Sequence, residues 1–237
     1  MRPLVIVPTY NERDNLPTVL RELLAIEALR ILVVDDQSPD GTAQLADATA
    51  NEHPGRVHVL HRTGSRGLGR SYIDGMRHAL AGDADVICQM DADLSHLPSE
   101  LPRLLTATAD ADVVIGSRYV RGGRIENWAR RRRWLSAFAN HYVRAITGLE
   151  PHDVTSGFRA WRREALTKIP LGDLDVEGYA FQVEMTWHAW RTGSRVVEVP
   201  ITFVERRQGN SKLSRRVIVE SAIRPWQLVL ARKPRKM

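Results

Sequence analysis

Arg30-Ile31-Leu32-Val33-Val34-Asp35-Asp36-Gln37-Ser38-Pro39-Asp40-Gly41-Thr42 carries the plan of the fold in one stretch. An unbroken β-branched run reads as a strand covered on both faces. Two aspartates close it, and Asp40-Gly41-Thr42 offers caps for a helix. Outward from there the same unit recurs. Leu4-Val5-Ile6-Val7, Val57-His58-Val59-Leu60, Val86-Ile87-Cys88-Gln89-Met90 and Val113-Val114-Ile115-Gly116 are further strands. Helix-like segments at 16–26, 42–52, 67–81 and 98–108 lie between them, with Pro98 near the first helical position of the last. Strands alternating with helices predict an α/β fold: a mostly parallel central sheet with helices on both faces.

After Ser117 the alternation stops. A Gly122-Gly123 loop precedes an arginine-rich helix at 128–147, and a second helix is expected at 179–191. Residues 195–204 return as a strand whose Pro200 suggests an edge position or a bulge. An amphipathic helix at 214–231 is expected to kink at Pro225. The expected organisation is one domain over 1–213, with 214–237 as an amphipathic helix and basic tail on or beside it.

The 237 residues are 43% hydrophobic and 26% charged, which is the composition of a globular protein and excludes disorder and fibres. A lone Cys88 rules out an intramolecular disulfide and fits a reducing compartment. No leader precedes the first strand, and the longest apolar candidate, 217–231, is broken by Glu220, Arg224 and Pro225. A cytoplasmic chain without a membrane span is expected. The net charge of +6 gathers in arginines at 118–133 and 206–216 and in the basic end 232–236, which suggests an anionic partner.

Ligands of a parallel α/β sheet bind beyond the carboxyl ends of its strands. Here those ends are Pro8-Thr9-Tyr10-Asn11-Glu12, Asp35-Asp36-Gln37-Ser38, Asp91-Ala92-Asp93-Leu94-Ser95-His96 and Gly116-Ser117-Arg118. Two residues apart in an extended segment, Asp91 and Asp93 point to one face and can share a hard cation, Mg2+ or Mn2+, whose shell substrate phosphates complete. Ser95 can add a weak or water-bridged contact, and the triplet alone reads equally well as a polar turn. One of Asp35 and Asp36 is expected to face the rim and accept from a nucleobase N–H or a ribose hydroxyl. The other bonds the turn at 38–42. Tyr10 and Glu12 can act likewise, or cap the first helix. Thr63-Gly64-Ser65-Arg66-Gly67-Leu68-Gly69-Arg70 lacks the P-loop ending, yet it opens a helix whose N–H groups can help hold an anion.

Taken with Asp153-Val154-Thr155-Ser156-Gly157-Phe158-Arg159 and Gly209-Asn210-Ser211-Lys212, these segments resemble the polyprenol- and dolichol-phosphate mannose synthases, inverting family-2 glycosyltransferases, from Val5 to about Ala231. The resemblance implies a Rossmann-like nucleotide-diphospho-sugar transferase fold of the A type, with GDP-mannose as donor and a polyprenyl phosphate lipid as acceptor. By position it implies donor contacts at Pro8, Tyr10, Glu12, Val34, Asp36, Asp91, Ala92, Asp93, Arg206 and Lys212. It places the acceptor phosphate at Arg118, Arg132 and Ser136. A metal is implied at Asp91 and Asp93; some relatives have Gln where Ser95 stands as third ligand. Asp93, Arg118 and Arg132 are the residues expected to carry catalysis.

Some relatives continue into transmembrane helices where this chain stops. A peripheral position on the inner face of the cell membrane is therefore expected, through the chain's own surface or a separate membrane-anchoring protein. Trp128 and Trp134 beside Arg130-Arg131-Arg132-Arg133 suggest a helix lying among headgroups; a solvated charged face is the plain alternative. Phe181, Trp187 and Trp190 read as core packing, and His96 and His152 as structural. Two other functions remain open: the same transfer from another donor such as UDP-glucose, and a non-catalytic basic membrane- or nucleic-acid-binding module. No nucleic-acid motif supports the last.

Overall fold

The computed structural model describes residues 1–174, 178–205 and 215–231, without the side chains of 215–221. β1 (Pro3–Thr9), α1 (Leu16–Leu24), β2 (Arg30–Asp35), α2 (Thr42–Glu52), β3 (Val57–His61), α3 (Leu68–Ala81), β4 (Val86–Gln89), α4 (Leu101–Ala107) and β5 (Val113–Ser117) follow the predicted alternation. The helix expected at 98–108 is a 3-10 turn, Pro98–Glu100, leading into α4, with Pro102 in the first α-helical turn where a missing N–H matters least. Asp40 Oδ1 accepts from Thr42 N–H at 3.0 Å and so satisfies a donor at the start of α2.

β6 (Arg124–Glu126), α5 (Arg130–Thr147), β7 (Arg159–Arg162), α6 (Arg163–Thr167), α7 (Gly178–Arg191), β8 (Val196–Pro200), β9 (Thr202–Val204) and α8 (Arg215–Leu230) complete the order. The main sheet runs β3-β2-β1-β4-β7-β5-β8. Every pairing in it is parallel except those of β7, which lies antiparallel between β4 and β5. The single strand expected at 195–204 is two strands in two sheets. β8 forms the outer edge and ends at Pro200, while β9 leaves to pair with β6. A proline that cannot donate to a ladder is tolerated at such a corner.

Strand alternation sorts β1 between the two layers. Val5 and Val7 join a core with Leu16, Leu20 and Leu104 from α1 and α4, whereas Leu4 and Ile6 join Tyr72, Met76 and Phe181 from α3 and α7. α3 sits close to the sheet: a Cβ on Gly75 would stand 2.7 Å from Ile6 Cγ2, so only glycine fits there. A smaller core joins α5, α7 and α8 through Val143, Val183, Trp187 and Leu228. Arg224 on α8 donates to both carboxylate oxygens of Glu184 on α7, at 2.8 and 2.5 Å. The boundary expected at 213/214 and the tail 232–237 lie outside the described residues. Phe181 and Trp187 are buried as expected, but Trp190 is not a core residue; it remains 38% exposed at the end of α7. No described helix is long and apolar enough to cross a membrane.

Candidate active site

Parallel register puts the ends of β1, β2, β4 and β5 on one rim. Pro8 and Val34 are register partners in β1 and β2, both buried, beneath the loops that carry Tyr10 and Asp36. The backbone is strained here: Asn11, Gln37 and Leu94, each just past a strand end, have left-handed φ of 58, 63 and 60°. Such conformations in residues other than glycine gather at functional sites.

At the β2 end, Asp35 accepts from Thr9 Oγ1 at 3.2 Å and from Ser38 N–H at 3.0 Å, and is the aspartate that holds the turn. Asp36 was expected to face the rim with its carboxylate available. Instead it is buried in an ion pair with Arg62 and accepts from Gly67 N–H at 2.8 Å. A carboxylate this far from water needs such partners. The anion held by the glycine-rich loop is therefore Asp36 itself. Arg62 also donates to Asp74 at 2.8 Å and to the Ser65 carbonyl at 3.0 Å. Arg66 donates to Tyr10 Oη and lies over its ring at 5.0 Å. Glu12 accepts from Asn15 Nδ2 at 2.8 Å, while its N–H donates to Thr42 Oγ1 at 3.0 Å.

The β4 end is not the extended segment assumed for Asp91 and Asp93. The chain bends from Ala92 onward and turns left-handed at Leu94. Both carboxylates nevertheless bear electrostatically on Tyr72 and His96, and so act at the same strand end. Asp91 Oδ1 accepts from Tyr72 Oη at 2.8 Å. Asp93 Oδ1 accepts from Ser95 N–H at 3.1 Å and from Ser95 Oγ. The Ser95 hydroxyl, expected as a third ligand, thus points at Asp93. Hard carboxylate oxygens oriented by neighbouring donors suit Mg2+ or Mn2+, and two of them match an ion that takes its other ligands from phosphates and water. No group of three or more His, Cys, Asp or Glu side chains able to hold a metal occurs among the described residues.

His96 is buried between Phe158 and Phe203, with ring centroids at 5.0 and 5.2 Å. Its Nδ1 accepts the Asp91 N–H at 3.2 Å, and burial holds its pKa below the ordinary value despite the two aspartates. It is neutral and structural. His152 is exposed and hydrogen-bonded to Glu198 at 3.0 Å.

At the β5 end Arg118 is buried against Asp153, which receives its backbone N–H, Nε and Nη2 at 2.9, 2.7 and 2.6 Å. Burial works against the cation, but Asp153 outweighs it and raises the pKa. A Cβ on Gly123 would stand 2.7 Å from the Ser117 carbonyl, so the glycine loop must fold this tightly over the arginine's backbone. Arg118 lines a pocket of about 420 Å³ with Tyr119, Ile125, Arg130, Arg133, Trp134 and Ala137. On α5, residues 130, 133, 134 and 137 form one helical face.

The three residues assigned to the acceptor phosphate are not gathered in that pocket. Arg132 pairs with Glu205 at 2.9 Å, its guanidinium 3.9 Å from the centre of the Trp128 ring. Ser136 is half-buried on α5, its carbonyl accepting from Asn140 Nδ2 at 3.0 Å. Trp128, expected at a membrane surface, is buried against Phe203 because it serves as the platform for Arg132. Trp134, Leu135 and Phe138 are exposed, and the rings of Trp134, Phe138 and Tyr142 form a ladder at 5.5 and 6.4 Å. Trp226 Nε1 on α8 donates to Tyr142 Oη at 2.9 Å and extends it. Arg206 and Lys212 lie outside the described residues.

Sequence reasoning gave no role to Asp153 or Arg159, although both stand in a quoted segment, and it had no signal for Tyr72 beyond its place in a helix. Arg159 is wholly buried and, among the described residues, donates to neutral acceptors: the carbonyls of Val154, Ser156 and Gln182, and Thr186 Oγ1. Burial pulls its pKa down to about 9, with Asp153 and Tyr72 opposing.

The family model for glycosyl transferase family 2 matches residues 4–169. Polyprenol monophosphomannose synthase of Mycolicibacterium smegmatis is 54% identical over 90% of this chain and 81% of its own length. Undecaprenyl-phosphate mannosyltransferase of Micrococcus luteus is 50% identical over 94% of the chain and 92% of its own. Among solved structures, glucosyl-3-phosphoglycerate synthase from Mycobacterium tuberculosis, in complex with Mn2+ and UDP, superposes with TM-score 0.66 at 17% identity, over 97% of this chain and 79% of that one. A mannosyltransferase from Pyrobaculum calidifontis, in complex with GDP-Man and Mn2+, does so with TM-score 0.66 at 20% identity, over 98% and 65%. At these identities the two structures speak for the fold alone.

Proposed function

Since the chain belongs to glycosyl transferase family 2, among the polyprenyl-phosphate mannose synthases, and has their GT-A fold, we propose that it transfers mannose from GDP-mannose to a polyprenyl monophosphate with inversion. One observation carries the reading: two carboxylates, each held by its own donor, and a cationic, aromatic-walled pocket lie at strand ends on one rim of the sheet. The first suits a metal-bridged diphosphate, the second a phosphate with an apolar tail.

Tyr10, Glu12 and the buried Pro8-Val34 pair form the nucleoside end, with Asp36 holding the glycine-rich loop beside them. Asp91, Ala92 and Asp93 form the diphosphate end; Arg206 and Lys212, outside the described residues, are assigned to the same diphosphate by the resemblance alone. Asp91 and Asp93 would hold Mg2+ or Mn2+, which, when bound, offsets charge on the departing nucleoside diphosphate. Ser95 acts through Asp93. The acceptor phosphate meets Arg118 with Arg130 and Arg133; Ser136 stands beside them, and Arg132 joins when its pair with Glu205 opens. A phosphate monoester with a second pKa near ~6 is already mostly dianionic at neutral pH, so the nucleophile needs no base. The arginines instead bring one anion close to another and aim it.

The aromatic ladder of α5, with Ile223, Trp226 and Leu230 exposed on α8, supports seating the chain peripherally on a bilayer, directly or beside an anchoring protein. Residues 1–213 are then the catalytic domain, and 214–237 its docking appendage. The test offers radiolabelled GDP-mannose and UDP-glucose in turn, with a short polyprenyl phosphate and Mg2+. Label should reach the lipid from GDP-mannose alone. Label from UDP-glucose alone overturns the donor, and nucleotide release without labelled lipid overturns the acceptor.

A further inference from the structure

We propose that Tyr72 is a positioning residue for the metal: its hydroxyl fixes the carboxylate of Asp91 in the orientation that receives the ion. The inference rests on the reading of Asp91 and Asp93 as the metal pair. Tyr72 lies on the first turns of α3, on the opposite side of the sheet from α1, and is wholly buried. Its hydroxyl reaches through to the rim and donates to Asp91 Oδ1 at 2.8 Å.

Three features make this contact a constraint. The ring lies parallel to that of Phe181 on α7, with centroids 6.1 Å apart and planes 3° from parallel, so the phenol has one orientation. α3 is pressed onto β1 at Gly75, one turn further along, which fixes the height of the hydroxyl against the rim. Between a phenol and an ionised carboxylate only the phenol can donate, so the hydrogen bond has one sense. Asp91 keeps 31% of its side chain exposed, while its Oδ1 is tethered from the core. Asp93 is held by Ser95 in the same manner. Each carboxylate of the pair thus has its own donor, the arrangement by which protein groups outside the coordination shell orient a ligand.

The test is Mn2+ titration of the full chain with GDP, and separately with UDP, followed by the loss of the free-ion paramagnetic resonance signal. It compares wild type with Tyr72→Phe and Phe181→Leu. Tyr72→Phe removes one oxygen and keeps the stack; it should weaken Mn2+ by about 10-fold or more, and raise the metal concentration for half-maximal transfer while the rate at saturating metal largely recovers. Phe181→Leu loosens the stack and keeps the hydroxyl; it should lower the melting temperature and weaken Mn2+ by less than Tyr72→Phe does. Affinity in Tyr72→Phe within about threefold of wild type overturns the positioning role and leaves the metal reading standing. Equal weakening in Phe181→Leu overturns it too, because packing then explains both. Wild type that binds no Mn2+ with either nucleotide removes the metal reading, and this inference with it.

Discussion

Asp153→Asn tests whether Arg118 is a clamped, pre-aimed cation. The Arg118 and Asp153 side chains are 4% and 0% exposed, and three of the arginine's N–H groups converge on this carboxylate. Asparagine keeps the shape but removes the charge, and turns an amide N–H toward a guanidinium that also donates. Removing one partner of a buried pair destabilises by about 3–5 kcal/mol, because the other charge stays buried and unmatched. In a chain of this length each kcal/mol moves the melting temperature by about 2–4 °C, so the expected fall is roughly 6–20 °C. Thermal melts followed by tryptophan fluorescence measure it, with Trp128 a reporter 5.7 Å from the guanidinium, and urea curves give the free energy. The double variant Arg118→Met/Asp153→Leu should recover most of the loss, since an apolar pair leaves no charge to satisfy. A loss under about 1 kcal/mol in Asp153→Asn would show that Arg118 is solvated, and the clamp argument would fail.

Other outcomes follow from the same structure. Glu184 is a buried, ionised carboxylate: burial raises its pKa, but hydrogen bonds from His188 and Arg224 outweigh this and hold it below the ordinary glutamate value. A depressed carboxylate stabilises fully above its unfolded pKa, and that contribution is lost as pH falls through the lowered value. The unfolding free energy of Glu184→Gln from urea curves should therefore trail wild type by about 1–3 kcal/mol at pH 7, and the gap should close as pH falls through the depressed pKa; a gap independent of pH contradicts the pairing. Ala28 is exposed with a left-handed φ of 59°, so Ala28→Gly should gain about 0.5–1 kcal/mol; a lower midpoint in that variant contradicts the strain. Asp93→Ala should abolish transfer while thermal melting stays cooperative, and retained metal-dependent turnover would remove Asp93 from the mechanism. Trp134→Ser with Phe138→Ser should reduce co-sedimentation with anionic liposomes at every salt concentration, whereas neutralising Arg130 and Arg131 should cost about 1 kcal/mol each at low salt; unchanged binding in both sets excludes α5 as the docking face.

The half of the chain up to Ser117 was readable because there the local signals agree. Period, strand-end polarity and caps all place β1 to β5 and α1 to α4, and the parallel register then puts Asp36, Asp91 and Arg118 on one rim. β7 escaped because Arg159-Ala160-Trp161-Arg162 carries a cation at each end and does not look like an interior strand. Its place between β4 and β5 depends largely on distant carbonyls, with Arg159 reaching Gln182 besides its chain neighbours Val154 and Ser156, and Arg162 reaching Thr108 and Ala109. The same physics qualifies the charge argument. Arg56, Arg103, Arg162 and Arg163 all donate to backbone carbonyls at loops and helix ends, so part of the arginine surplus is structural and only part faces a ligand. The partners of Asp36 and Trp128 were illegible for one reason: sequence shows that a residue sits near a site, but not which neighbour reaches it first. Arg62 reaches Asp36, and Arg132 reaches Trp128.

Crystals soaked with Mn2+ and GDP, with data collected at the manganese absorption edge, test the central claim most directly. The anomalous peak should fall between the Asp91 and Asp93 carboxylates and the nucleotide's diphosphate. A peak elsewhere, or bound GDP whose diphosphate lies away from both aspartates without an ion, would contradict it.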